Sequence, residues 1–184
     1  MNFFKQYNQD IIKCFQRLDK NKINSICNLI EKTSKKGGTI YLAGNGGNAS
    51  TASHMSTDFT KNAKVRAISF NDTNLITCFS NDYGYENWLK AAIKYYVKSN
   101  DLVILLSVSG KSENLINAAN FCKKKKIKLV TITGAKKNNL LSTKGNINYW
   151  INSKAYNIVE TDQMAILSSI VDKIIGRAEY SSNL

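Results

Sequence analysis

His54, the only histidine of the chain, is followed four residues later by Asp58. That spacing places an imidazole and a carboxylate on one face of a helix, where they can share a metal ion or act together in proton transfer. Both lie at the end of the stretch Tyr41 to Asp58, YLAGNGGNASTASHMSTD, in which a short apolar segment runs into glycines and small polar residues. Glycines between a strand and a helix let the backbone approach a ligand closely, and free amides with the helix dipole suit a phosphate. A second stretch of the same character is Ser107-Val108-Ser109-Gly110-Lys111-Ser112, three hydroxyls around one glycine.

These loops need a scaffold. Short apolar runs at Thr39–Ala43, Val65–Phe70, Leu102–Leu106, Leu129–Thr133 and Ile147–Ile151 alternate mostly with helix-length segments, the pattern of a parallel sheet covered by helices. Phe4, Tyr7, Ile11, Cys14, Phe15 and Leu18 recur at helical spacing, and so do Ile23, Ile26, Cys27 and Ile30. The expected fold is therefore an α/β three-layer sandwich with a five-stranded parallel sheet, preceded by a helical hairpin over residues 1–36. Residues 37–184 would form the α/β core, closed by an apolar helix from about Thr161 to Tyr180. No repeat, linker or proline argues for a second domain. In such sheets ligands bind beyond the carboxyl ends of the strands, where both loops fall.

The net charge of +13 favours an anionic partner. The densest basic run, Lys123 to Lys126, closes a helix that begins near Ser112, where cations complement the dipole, and no aromatic residues interleave with it. A phosphorylated metabolite is thus expected rather than a nucleic acid. No apolar run approaches the roughly 20 residues that span a bilayer, so no membrane partner is expected. Four widely spread cysteines, Cys14, Cys27, Cys78 and Cys122, read as buried thiols of a cytoplasmic protein. Gly110-Lys111-Ser112 is not a nucleotide P-loop, because that motif requires glycine where Leu105 stands. Gly44, Gly46 and Ala49, with Asp72 beyond the next strand, match a dinucleotide pattern. That reading gives no role to the serine loop or to His54 and Asp58, so no nucleotide cofactor is expected.

Taken together, GNGGN with the following ASTASH, SVSGKS, and Asn81-Asp82-Tyr83-Gly84 make the chain resemble the SIS (sugar isomerase) domain. Within it, the chain is similar to the phosphoheptose isomerases, which convert sedoheptulose 7-phosphate to a heptose 7-phosphate through an enediol. The resemblance covers nearly the whole chain and implies a flavodoxin-like or Rossmann-like fold. It also implies a homotetramer with active sites at subunit interfaces and a role in surface polysaccharide synthesis, lipopolysaccharide or capsule. It places the sugar phosphate on Ser107, Ser109 and Ser112, with Val108 and Gly110 lending backbone. Asn45, Gly46, Gly47 and Asn48 correspond to the first phosphate-side loop, Asn48 standing where serine is usual. Asp82 resembles a residue that contacts sugar hydroxyls, and Asp72 and Thr73 a pair that lines the pocket.

The same resemblance makes His54 a first zinc ligand and Asp58 the counterpart of a glutamate that serves as metal ligand and catalytic base. Gln163 resembles a ligand on the last helix, with Glu160 as a nearby acidic residue. Eight positions after that glutamine the family carries a second histidine; this chain has Val171. Zinc on His54, Asp58 and Gln163 is therefore expected to bind more weakly than in a four-ligand site. The alternative the resemblance carries is a non-catalytic SIS tetramer that binds sugar phosphates or acts as a scaffold, as do relatives that lack the second histidine.

Overall fold

The computed structural model describes residues 2–179. Two helices open the chain, α1 (Phe3–Gln16) and α2 (Lys20–Lys35). Asn2 and Asp19 cap them, each accepting a backbone N–H of the first turn. There follow β1 (Ile40–Gly44), α3 (Gly47–Lys61), β2 (Ala67–Ser69), α4 (Thr73–Tyr83) and α5 (Trp88–Tyr96). The remainder is β3 (Leu102–Ser107), α6 (Glu113–Lys125), β4 (Lys128–Thr133), β5 (Ile147–Trp150) and α7 (Tyr156–Ile175). The five strands are all parallel, in the order β2-β1-β3-β4-β5. This is the expected five-stranded parallel sheet.

Every residue of β1 and β3 is buried, because helices cover both faces of the sheet. On one face Ile40, Leu42, Ile104, Leu106, Val130 and Ile132 pack against α2, α3 and α7 through Ile30, Phe59 and Leu167. On the other, Tyr41, Ala43, Val103, Leu105 and Leu129 meet α5 and α6 through Leu89, Ile93, Leu115 and Cys122. Alternate strand residues thus serve opposite layers.

Three boundaries differ from the sequence reading. β2 is shorter than Val65–Phe70: it is an edge strand paired only with β1, and Val65 and Phe70 are buried outside the ladder. α7 starts at Tyr156 rather than near Thr161 and ends at Gly176, whose φ of 89° stops it; Tyr180 lies outside the described residues. Cys78 is exposed and Cys14 only partly buried, so the expectation of four buried thiols holds for Cys27 and Cys122. Lys123, Lys124 and Lys125 do occupy the last turn of α6. No helix among the described residues is long and apolar enough to cross a membrane.

α1 buries none of its residues. Phe3, Phe4, Ile12 and Phe15 leave it an exposed apolar face, with more exposed large apolar side chains than any other helix among the described residues.

Candidate active site

With this strand order the chain turns one way from β1 to β2 and the other way from β3 to β4. The crevice at that switch point lies beyond the carboxyl ends of β1 and β3. Gly44-Asn45-Gly46-Gly47-Asn48 follows β1, and the serine loop follows β3, so the fold brings the two loops together. A reciprocal amide pair stitches them: Asn45 Nδ2 donates to Asn114 Oδ1 at 3.0 Å, and Asn114 Nδ2 to Asn45 Oδ1 at 2.9 Å. Gly46, at φ 59°, turns the chain into α3. Gly47 lies so close to the Glu160 carboxylate that a Cβ would collide with it.

Between the loops is a cup of about 90 Å³, the size of a phosphate group rather than of a whole sugar. Asn45 and Asn48 face Ser107, Val108, Ser109 and Ser112 across it, and Tyr156 and Glu160 of α7 line the remaining wall. Ser107 Oγ accepts the Gly110 N–H at 3.0 Å, and Ser109 Oγ accepts the Lys111 N–H at 3.2 Å. Each hydroxyl therefore keeps its own proton to donate to a ligand oxygen. The Gly110 amide is consumed in this way, so Gly110 contributes the turn, at φ 64°, and not a donor. Ser112 occupies the N-cap of α6, yet its side chain makes no capping bond and its hydroxyl remains available. Asn48 is 3% exposed and its Oδ1 has no partner, a buried acceptor that a ligand hydroxyl would satisfy.

His54 and Asp58 form the expected pair, with Nε2 and Oδ2 3.1 Å apart on the outer side of α3. His54 stands six residues beyond Asn48, about 9 Å along the helix axis and a third of a turn round it. The pair consequently faces outward from the chain and does not line the cup. Gln163 is fully buried: its Nε2 donates to the Ile132 carbonyl at 2.8 Å, and its Oε1 is enclosed without a partner. Val171 sits in the core at 1% exposure. For zinc, the donor set of one chain is short. Two ligands stand side by side, the third is sealed inside, and no cluster of three or more His, Cys, Asp or Glu side chains occurs among the described residues. These residues do not fit a closed four-ligand site.

Asp72 caps α4, accepting the Leu75 N–H at 2.8 Å, and lies with Thr73 on the exposed surface outside the cup. Asp82 is exposed near the end of α4, bonded to Asn81 Nδ2 at 3.0 Å. Sequence reasoning passed over Asn114, Asn139 and Tyr156. Asn139 anchors the serine loop from the segment after β4, accepting the Ser142 N–H and lying against Gly110. Nothing in the local sequence marks these residues, because each acts across a tertiary contact.

The chain matches the model of the SIS domain over residues 3–134. It is 34% identical over 134 residues to a phosphoheptose isomerase of Thermodesulfovibrio yellowstonii, covering 70% of this chain and 67% of that protein. It is 33% identical over 132 residues to a phosphoheptose isomerase of Haemophilus ducreyi, covering 68% of each. Among solved structures it superimposes on a phosphoheptose isomerase from Neisseria gonorrhoeae with a TM-score of 0.85 at 19% identity, over 93% of this chain and 97% of that one. A phosphoheptose isomerase from Francisella tularensis gives 0.84 at 20% identity, over 95% and 98%. The fold therefore extends through α7, where the family model no longer reaches. From its two strand-end loops to its sheet order, this chain belongs to the SIS domain family.

Proposed function

We propose that this protein is an isomerase of the phosphoheptose type, interconverting sedoheptulose 7-phosphate and a heptose 7-phosphate. The observation that carries this reading is the phosphate-sized cup at the switch point, lined by three serines, in a chain a third identical to phosphoheptose isomerases. The phosphate is held by Ser107, Ser109, Ser112 and Asn48, and the sugar extends from it past Tyr156 and Glu160.

Isomerisation requires a base to remove a proton from the carbon next to the carbonyl and, after exchange with solvent, to deliver one to the former carbonyl carbon, while a second group moves a proton between the two oxygens. Asp58 is the base in this reading, and His54, hydrogen-bonded to it, relays the oxygen proton. Because the pair faces outward, it serves a cup on a neighbouring subunit. The exposed Phe3, Phe4, Ile12 and Phe15 of α1 supply apolar surface for a homo-oligomer, which we take to be a tetramer. Zinc binds more weakly here than at four ligands, and the enzyme works in the cytoplasm on a precursor of lipopolysaccharide or capsule.

The buried Val171 favours a second reading, a SIS protein that binds sugar phosphates without turnover. Incubating the protein with sedoheptulose 7-phosphate, with and without zinc, and following the aldose by NMR separates the two. Product formation supports the isomerase. Absence of product at every zinc level, with thermal stabilisation by the sugar phosphate retained, supports the binding protein.

A further inference from the structure

A larger cavity, about 250 Å³, lies away from the cup, where the joint between α1 and α2 meets the end of β5 and the flank of α7. At its inner wall is Asp162, 3% exposed, whose Oδ1 has no hydrogen-bond partner. An unpartnered carboxylate oxygen at this depth is costly, and a ligand donor would remove that cost. Cys14 also lines the cavity. Arg17, Lys22 and Lys137 are exposed around the same space, and none of them forms an ion pair among the described residues. Lys137 lies 5.8 Å from the centre of the Trp150 ring, which also lines the cavity. The other carboxylate of the lining, Asp19, caps α2 by accepting the Lys22 N–H.

We infer that this cavity is a second binding site, taking a small hydroxylated monophosphate with a hydroxyl on Asp162 and its phosphate among Arg17, Lys22 and Lys137. Three cations free of ion pairs outnumber the two carboxylates of the lining, Asp19 and Asp162, which suits a phosphate, and the buried acceptor on Asp162 asks for a donor on the same molecule. The volume is just below the range of about 300–1,000 Å³ typical of drug-sized pockets, so the ligand is small. None of the residues that line the cup lines this cavity. Its floor is shared by α1, α2, α7 and β5, so occupancy would tie the N-terminal helices to the helix that carries Tyr156 and Glu160.

Glucitol 6-phosphate is a suitable probe, since it has no carbonyl and cannot be isomerised. Titration calorimetry on the full chain should give two equivalents per chain. The Ser107→Ala/Ser109→Ala variant should lose one and Lys22→Ala/Lys137→Ala the other. In the serine variant the remaining binding should change Trp150 fluorescence, and Trp150→Phe should abolish that change. Asp162→Asn should weaken the second site at least tenfold while the cup is unaffected, and inorganic phosphate, lacking a hydroxyl, should bind there at least tenfold more weakly than the probe. A single equivalent that vanishes in the serine variant would overturn the inference, as would two equivalents surviving in the lysine variant. Equal affinity for inorganic phosphate and the probe would overturn the role of Asp162.

Discussion

Gly110→Ala is the substitution from which the geometry of the serine loop yields the largest calculable effect. Gly110 sits at φ 64°, and a Cβ there would overlap the Oδ1, Cγ and Cβ of Asn139. Asn139 cannot step aside freely. It is 5% exposed, its Nδ2 donates to Lys136 O at 2.9 Å and Gly134 O at 3.3 Å, and its Oδ1 accepts the Ser142 N–H at 2.9 Å. The left-handed backbone costs a non-glycine residue roughly 1–2 kcal/mol. Displacing Asn139 weakens three hydrogen bonds worth about 0.5–1.5 kcal/mol each, which brings the expected loss to about 3–5 kcal/mol. For a chain of this size the melting temperature should then fall by roughly 6–20 °C. Gly176→Ala is the control, with φ 89° and nothing within 4 Å of the added Cβ, and should show the backbone cost alone. In an Asn139→Ala background the cost of Gly110→Ala should shrink by about 2 kcal/mol, because the overlapping amide is gone. Denaturant melts of the four-member cycle measure this, and glucitol 6-phosphate affinity at the cup should fall with the same pattern. Strict additivity, or a Gly110→Ala variant no less stable than Gly176→Ala, would refute the reasoning.

Other outcomes follow from the same geometry. Asp58→Asn should lower kcat by at least about a hundredfold with KM little changed, as removal of a general base does, and unaltered kcat would remove Asp58 from that role. Ser109→Ala should raise KM for the sugar phosphate roughly ten- to a hundredfold, the value of a hydrogen bond to a charged group. At pH 8 a thiol reagent should titrate one cysteine, the exposed Cys78, and all four only after unfolding. Burial, and next the neighbouring Asp162 carboxylate, push the Cys14 thiol up to about 11, while burial alone pushes Cys122 up to about 12. Raised values keep the thiol protonated, so Cys14 is thiolate at only about one part in a thousand at pH 8. Rapid reaction of a second cysteine in the native protein would contradict that environment.

Much of this architecture is written in local pattern. A parallel sheet covered on both faces needs continuous apolar strands, and Leu102–Leu106 and Leu129–Thr133 announce theirs. The two loops are legible because glycines and clustered hydroxyls fall together at the carboxyl ends of two strands, where such sheets bind ligands. What escaped is set by tertiary contact. The start of α7 carries no signal, since Ala155 is its N-cap and makes no capping bond. Asp162 reads as an ordinary polar helix residue until α1 and β5 bury it. Asp72 looks like a pocket residue in sequence, whereas its carboxylate is engaged in capping α4. His54 and Asp58 are correctly paired by their spacing, but the direction they face depends on which side of α3 the sheet buries.

The central claim is that the cup and the outward His54–Asp58 pair together isomerise a sugar phosphate. Its most direct test is incubation with sedoheptulose 7-phosphate in D2O, read by NMR and mass spectrometry. The account predicts a heptose 7-phosphate carrying solvent deuterium at C2, the carbon reprotonated from the enediol, with the signal lost in Asp58→Asn. Recovery of unlabelled sedoheptulose 7-phosphate alone, at every zinc concentration, would contradict it.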